Sequence, residues 1–369
     1  MAGVAAAMAA RGAGRLAAGG RRGLAGLAGK KPVVAIAGST GAVGQELLDL
    51  IQERAFPFAD LKLLASKRSA GSTQEFMGKT YTVEELTKDS FDGVDIAFFS
   101  AGGGRSKEFA PAAVGAGAVV IDNSSAFRMD PECPLVVPEV NPDAAFNRPK
   151  GIIANPNCST IIMNMVVWPI VQAVGVERVV VSTYQAASGA GAAAMAELEQ
   201  QARDWVAGKS PVTQDIFGRQ YVFNLFSHNS GIDLATGYNE EETKMIKETK
   251  KIFGDDQIKV TATCIRVPVL RAHCESINLT LKSPLDEKAA RELLAKAPGV
   301  TVQDDRENNK HPEPLDASFK DDCIVGRIRQ DVSQPDNRGL DLFVAGDQIR
   351  KGAALNAIQI AELLLSRDA

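Results

Sequence analysis

Lys31-Pro-Val-Val-Ala-Ile-Ala-Gly38-Ser-Thr-Gly41-Ala-Val-Gly44 runs straight into Gln45–Arg54, and this stretch decides how the first half of the chain folds. Pro32–Ala37 is a short apolar run with the character of a buried strand, and Gln45–Arg54 has the apolar spacing of a helix. Between them, Gly38, Gly41 and Gly44 leave backbone N–H groups free to approach a phosphate at a helix N-terminus, where the dipole favours negative charge. Three glycines alone are equally a tight turn. Their place between a first strand and a helix favours a dinucleotide cradle formed by Gly38, Ser39, Thr40, Gly41, Ala42, Val43 and Gly44.

Working outward, Leu61–Ala65, Val94–Phe99 and Ala118–Asp122 read as further short strands, with a helix over Lys107–Ala116. Such alternation over Lys31–Asn155 predicts an open parallel sheet. Beyond Asn155 the pattern changes. Ser159–Val174 reads as a long buried helix, and Arg178–Tyr184, Ile258–Val267, Glu275–Leu281 and Ile324–Gln330 as longer strands. Helical runs near Gly191–Val206, Glu240–Ile252 and Asp286–Lys296 lie between them, which predicts an α+β second domain. Leu340–Ala345 is a last strand, and the amphipathic Lys351–Leu365 is expected to pack back on the first domain. Gly71–Gly78 and Asp304–Pro314 read as polar loops. The expected organisation is a leader over 1–30, a nucleotide-binding domain over 31–156 plus about 341–369, and a catalytic domain over 157–340.

The 369 residues, 45% hydrophobic and 23% charged, fit two soluble globular domains and exclude a coiled coil or wholesale disorder. Residues 1–45 hold six basic residues and no acid, which leaves the remainder at 35 basic against 45 acidic residues. So acidic a body lacks the basic face that nucleic-acid binding needs. The leader, with Arg11, Arg15, Arg21 and Arg22 and no apolar core of the secretory kind, resembles an organellar transit peptide, although it is poor in Ser and Thr; an unstructured solubilising tail is the alternative. No run is long and apolar enough to span a membrane. Five cysteines without a CxxC pair fit a reducing compartment, and three scattered histidines make no zinc site, so no metal is expected.

The end of the second strand bears on the choice of nucleotide. An NAD site usually places Asp or Glu there for the ribose hydroxyls. Here Ala65-Ser-Lys-Arg-Ser-Ala70 carries two cations and no acid. Arg68 is suited to fork onto a 2′-phosphate, with Ser66 and Ser69 as donors, so NADP(H) is favoured over a merely solvated turn. The second chemical stretch is Asn155-Pro-Asn-Cys158-Ser-Thr160, at the start of the buried helix. Unpaired N–H groups and the dipole at a helix N-terminus stabilise a thiolate, which makes Cys158 a candidate nucleophile with a lowered pKa; an inert buried cysteine is the alternative. His228, His273 and His311 are all open as its base, each with a structural histidine as the alternative. Arg266, seven residues before His273, is suited to hold a carboxylate bidentately.

Taken together, these stretches resemble the aspartate-β-semialdehyde dehydrogenases, in particular the plant or algal plastid form. The matching segments are Gly38–Gly44, Leu64–Gly71, Asp122–Arg128, Asn155–Thr160, Tyr184–Gly191 and Arg266–His273, and they span the whole folded chain. The resemblance implies a Rossmann-type NADP-binding domain and a glyceraldehyde-3-phosphate-dehydrogenase-like α+β catalytic and dimerisation domain. It makes Cys158 the nucleophile, His273 the acid/base and Gln185 the residue that orients substrate beside the thiol. Arg266 matches the substrate-carboxylate arginine and Arg128 a phosphate-binding arginine. Glu241 and Lys244 match a pair contacting the substrate amine and phosphate; an ordinary exposed helix pair is the alternative. Ser188 and Gly189 resemble the loop near the nicotinamide, and Asn356 a cofactor contact from the last helix. Cys274, beside the expected base, is expected to face away from Cys158 because strand neighbours point to opposite faces.

The implied reaction is NADPH-dependent reductive dephosphorylation of L-aspartyl-4-phosphate to L-aspartate-4-semialdehyde through a cysteine thioester, in a homodimer that pairs in some cases into a tetramer, with release of inorganic phosphate. Two competitors are N-acetyl-γ-glutamyl-phosphate reductase, with the same chemistry on a longer acylated substrate, and a non-catalytic NADP-binding redox sensor. Glu241 favours a free amine over the first, and Cys158, Gln185, Arg266 and His273 together disfavour the second. The leader implies a plastid location, or a cytoplasmic one if it is not a transit peptide.

Overall fold

The computed structural model describes residues 27–29 and 31–367. Seven strands form a first sheet: β1 (Val33–Ala37), β2 (Asp60–Ala65), β3 (Thr73–Phe76), β4 (Lys79–Glu85), β5 (Ile96–Phe99), β6 (Val119–Asp122) and β7 (Ile152–Ala154). Their order is β3-β4-β2-β1-β5-β6-β7, parallel throughout except for the β3–β4 hairpin. Both faces are covered, as a parallel sheet requires. Val34 and Ile36 of β1 pack under α1 (Ala42–Glu53) and the C-terminal helix, while Ala35 and Ala37 face Phe109, Ala110 and Ala113 of α2 (Gly103–Gly115).

The stretch Gly71–Gly78, expected as a polar loop, forms the first strand and the turn of that hairpin. Met77 (φ 49°) and Gly78 (φ 75°) are its two turn residues, the positive-φ pair of a tight hairpin connection. Methionine in the first of these positions conceals the turn from the sequence.

Seven more strands form the second sheet: β8 (Val176–Gln185), β9 (Phe226–Ser227), β10 (Lys259–Arg266), β11 (His273–Leu281), β12 (Val300–Val302), β13 (Cys323–Gln330) and β14 (Gly339–Gly346), in the order β12-β13-β14-β11-β8-β10-β9. One face packs on α3 (Cys158–Val174), α5 (Glu240–Phe253) and α6 (Glu287–Leu294) through Ile161, Ile162, Val166, Met245, Ile252 and Leu294. The other face is only half covered, with Tyr184 exposed and Ser182 and Phe343 half-buried. Helix α4 (Ala192–Val206) and the short turn α7 (Pro314–Ala317) flank this sheet, and α8 (Leu355–Arg367) returns to the first domain.

Two boundaries differ from the sequence expectation. The strand expected at Leu340–Ala345 is hydrogen-bonded between β11 and β13, so 341–346 belong to the catalytic sheet and the return to the first domain starts after Gly346. Apolar patterning marks a strand but not the sheet it joins. Of the 1–30 leader, 1–26 and 30 lie outside the described residues. Leu27, however, is buried in the first core, and Gly29 N–H donates to Leu365 O at 3.3 Å, so the body begins before Lys31.

Candidate active site

Cys158 is the first residue of α3. Asn157 caps that helix, with Oδ1 accepting from Thr160 N–H at 3.2 Å. The remaining site residues come from β8, β10, β11, the first turns of α5, the segment after β6 that carries Arg128 and the segment after β9 that carries His228 and Asn229. Helix α5 starts at a reciprocal capping box between Asn239 and Glu242 and ends on the left-handed Gly254, which fixes Glu241 and Lys244 against the sheet. These elements enclose a cavity of about 330 Å³, whose walls include Arg128, Cys158, Gln185, Glu241, Lys244 and Arg266.

The polar groups are tied to one another. Glu241 Oε1 accepts from Asn157 Nδ2 at 2.8 Å and from Gln185 Nε2 at 3.1 Å, and Oε2 accepts from Lys244 Nζ at 3.1 Å. Burial opposes ionisation of Glu241, but Lys244 and the two amides outweigh it and hold the carboxyl well below the ordinary range. Arg266, 3% exposed, donates to Ala186 O at 3.0 Å, Asn229 Oδ1 at 3.2 Å and His228 Nε2 at 2.8 Å. The guanidinium can only donate, so His228 Nε2 accepts there, while Nδ1 accepts from Ser230 N–H at 3.2 Å and lies 3.1 Å from Ser230 Oγ. Burial lowers His228 to about 4. Arg128 uses three of its five donors on Asn155 O, Asn123 O and Glu248 Oε1 (2.9, 2.8 and 3.1 Å), which leaves two for a ligand.

His273 is fully buried, and its imidazole lies behind Gly189, where a Cβ would meet His273 Nε2 at 3.1 Å and Arg266 Nη1 at 2.9 Å. Only glycine leaves room there for both groups. Ala186 N–H donates to His273 Nδ1 at 3.0 Å, which assigns the imidazole proton to Nε2. Burial and the Arg266 charge push its pKa well below 6.5, so the ring is neutral. At rest His273 is therefore a donor at Nε2 rather than a base, since its only lone pair is already engaged.

The lowered thiol pKa expected for Cys158 is not found. Burial and the Glu241 charge push the thiol up to about 12, against smaller opposing effects of Arg128, Arg266 and the Ser159 N–H. Burial is the larger cause, and Glu241 adds a negative charge beside the helix N-terminus; next to the thiol, Asn157 N–H donates to Glu248 Oε2 at 2.6 Å. Cys274 lies on the opposite face of β11 among Ala317, Ile324 and Ala345.

The nucleotide cradle opens into the same cavity through Val43 and Ser100. A Cβ on Gly38 (φ 95°) would lie 2.5 Å from Ser100 O, and one on Gly44 would lie 2.3 Å from Gly38 O, so both positions need glycine; Gly41 only caps α1. Gly38 and Ser39 N–H both bond Leu64 O, which leaves the N–H groups at the start of α1, from Ala42 to Gly44, to face a phosphate. Thr40 is exposed at the tip of the turn. Ser66 and Ser69 close the turn after β2, with Ser69 N–H bonding Ser66 O at 2.8 Å, and Arg68 beside them is exposed without a partner among the described residues. Ser188 is held by Leu270 O and Gln348 at the cavity wall. Asn356 does not reach the cavity. It is fully buried, its amide bonds Val136 O and Asn155 Oδ1 at 2.9 and 2.6 Å, and it accepts from Lys351 at 3.0 Å; it holds Asn155 in place of the expected cofactor contact.

The same architecture is found in known proteins. The chain matches the semialdehyde dehydrogenase NAD binding domain over residues 33–148 and the semialdehyde dehydrogenase dimerisation domain over 167–351. It is 55% identical to the aspartate-semialdehyde dehydrogenase of Synechocystis sp. over 334 residues, covering 90% of this chain and 97% of the relative. The chain belongs to the aspartate-semialdehyde dehydrogenase family. The Aquifex aeolicus aspartate-semialdehyde dehydrogenase is 52% identical over 335 residues, covering 90% of this chain and 97% of that one. The crystal structure of aspartate semialdehyde dehydrogenase II from Vibrio cholerae superposes with a TM-score of 0.88 at 45% identity, covering 92% of this chain and 99% of that one.

Three residues that bond the side chains of this site were not singled out from the sequence: Asn157, Glu248 and Asn229. Asn157 carried a signal, as an N-cap residue before the helix of Cys158. Glu248 lies two turns after Glu241 on the same face of α5. Asn229 carried none.

Proposed function

We propose that the chain catalyses the NADPH-dependent reductive dephosphorylation of L-aspartyl-4-phosphate to L-aspartate-4-semialdehyde, with Cys158 as nucleophile. One observation carries the assignment of substrate: a buried carboxylate, Glu241, and a buried guanidinium, Arg266, line the cavity that holds the thiol. Opposite charges in one pocket suit the ammonium and carboxylate of a free α-amino acid, and an acetylated amine would bring Glu241 no positive charge beyond the Lys244 it already pairs with.

Cys158 forms its S–C bond to the acyl carbon while the C–O bond to phosphate breaks, and the thiol proton leaves with the phosphate. Arg128 and Lys244 meet that phosphate, while Gln185, fixed by Thr183 and Glu241, orients the carbonyl. His273 Nε2–H donates to the carbonyl oxygen as charge develops there. The nicotinamide cofactor supplies the hydride for the thioester. Collapse of the reduced adduct then breaks the C–S bond and frees the aldehyde, and the sulfur takes a proton from solvent, the one proton the overall reduction consumes. The cradle from Gly38 to Gly44 holds the pyrophosphate, and Arg68, with Ser66 and Ser69, reads the 2′-phosphate, which favours NADP(H).

The chain works as a homodimer built on the half-covered face of the second sheet, with a tetramer as the further possibility. The basic, acid-free leader directs it to a plastid, as in the plant or algal form. Purified chain given phosphate, aspartate semialdehyde and NADP+ is expected to produce NADPH, and N-acetylglutamate semialdehyde to give at most a trace. Equal rates on both aldehydes would overturn the substrate assignment. Light scattering reads the dimer, and a fluorescent fusion lacking residues 1–24 is expected to lose plastid import while its melting temperature stays unchanged.

A further inference from the structure

Outside the catalytic cavity, the densest set of buried charges joins the two domains. Glu46, on the first turns of α1, is 8% exposed in its side chain. Its Oε2 accepts from Arg271 Nη2 at 2.7 Å and its Oε1 from Arg350 Nη1 at 3.1 Å. Arg271 Nε donates to Asp347 Oδ2 at 2.6 Å, and the Arg271 guanidinium lies 3.9 Å over the Phe319 ring. Asp347, fully buried, also accepts from the backbone N–H of Ile349 and Arg350.

Each partner leads to a different part of the site. Arg271 sits two residues before His273, and the intervening Ala272 N–H donates to Gln348 Oε1 at 2.9 Å, whose amide reaches Ser188. Arg350 opens the turn that contains Gly352, where a Cβ would lie 2.8 Å from Cys158 Cβ. Glu46 itself rides on the helix whose first turn faces the cofactor phosphates. Arg271 is thus spent on this network, and of the two arginines only Arg266 lines the catalytic cavity.

We infer that Glu46 is a positioning residue that makes cofactor seating and active-site assembly one event: its carboxylate, shared by Arg271 and Arg350, links the nucleotide-cradling helix to the segment presenting His273 and to the turn flooring Cys158. This rests on the reaction proposed above. A cofactor that fixes α1 thereby fixes Arg271 and Arg350. The substrate-carboxylate site is outside the linkage, because Arg266 is held by Ala186, His228 and Asn229.

The test uses the full chain with Glu46→Gln, Arg271→Gln, their double variant and the milder Arg271→Lys. Arg291→Gln, which breaks the pair with Asp304 far from the site, controls for loss of stability alone. Each Gln variant is expected to lower kcat by roughly 10- to 100-fold, the scale of a misplaced reacting group. KM for NADP+ is expected to rise several-fold while KM for aspartate semialdehyde stays within about two-fold. The double variant is expected to lose less than the product of the two single effects, since the Glu46–Arg271 link is shared while each residue also loses a contact of its own, Glu46 with Arg350 and Arg271 with Asp347. Arg271→Lys, which keeps the charge but not both contacts, is expected to fall between, and Arg291→Gln to lower the melting temperature with kcat unchanged. The inference is overturned if Glu46→Gln retains kcat within two-fold, if the two effects multiply, or if Arg271→Lys matches wild type should the Gln variants fail to fold. An inactive wild type would instead refute the proposed reaction.

Discussion

The glycine cradle and the cysteine pocket open into one cavity, yet they are built from opposite materials. The cradle is backbone: its N–H groups come from seven consecutive residues, and the close approaches are to backbone oxygens, Ser100 O at Gly38 and Gly38 O at Gly44. The pocket is side chain, and its bonds join residues far apart in sequence, Asn157 to Glu241, Gln185 to Glu241 and Arg128 to Glu248. A backbone site fails by steric intrusion. A buried polar network fails when one member is removed and its partner is left unpaired.

That contrast predicts a graded set of effects. The largest is in the pocket. Arg266→Lys keeps the charge but loses the fork, and turnover of aspartate semialdehyde is expected to fall about 10²-fold, because a loosely held substrate presents its carbonyl out of line with Cys158. On an analogue without the α-carboxylate, wild type and variant are expected to converge. Equal loss on both would mean that Arg266 supports His273 rather than substrate. In the cradle, Gly44→Ala drives a Cβ into a backbone oxygen, a strain of about 1–3 kcal/mol. KM for NADPH is expected to rise about tenfold or more. Gly41→Ala, whose Cβ would meet nothing nearer than Gly38 O at 3.4 Å, is expected to match wild type. If the two behave alike, steric approach is not what the glycines supply.

How much of this was legible follows the same division. The cradle is local, so three glycines between a strand and a helix are enough to place it. Cys158 was legible as a helix-start cysteine, but its raised pKa was not, because it comes from burial in the tertiary structure and from the charge of Glu241, on a helix more than eighty residues later. Glu241, Lys244 and Arg128 entered only through family resemblance; nothing in their own neighbourhoods distinguishes them from exposed charges. Asn356 misled because its helix does border the cavity, at the turn before it, while the side chain points inward to Asn155. The hairpin at Thr73–Glu85 was hidden by a methionine in a left-handed turn position.

A smaller effect concerns the edge of the cradle. Arg68→Ala is expected to raise KM for NADPH about tenfold, the scale of one charge-assisted bond, and to leave KM for NADH nearly unchanged. Equal changes for both cofactors would remove Arg68 from the 2′-phosphate. The smallest lies beneath the pocket, where both carboxyl oxygens of Glu275 are buried without a partner and burial raises its pKa well above 4.5. Above the ordinary carboxylate range the folded chain keeps a proton that the unfolded chain has released, so stability falls as pH rises. Glu275→Gln is expected to flatten that slope and to raise the melting temperature by a few degrees at pH 8, at about 2–4 °C per kcal/mol, with little change near pH 4. A variant destabilised equally at both values would show that the carboxyl has a role of its own in the fold.

The central claim is a covalent aspartyl thioester on Cys158. Full-length chain mixed with L-aspartyl-4-phosphate in the absence of cofactor, quenched in acid and digested, is to be read by mass spectrometry alongside the phosphate released. The account predicts one aspartyl group on the peptide containing Cys158, one phosphate released per adduct, discharge of the adduct as semialdehyde when NADPH is added before quenching, and no adduct in Cys158→Ala. Turnover without any adduct, or an adduct on Cys133, Cys264, Cys274 or Cys323 instead, would contradict it.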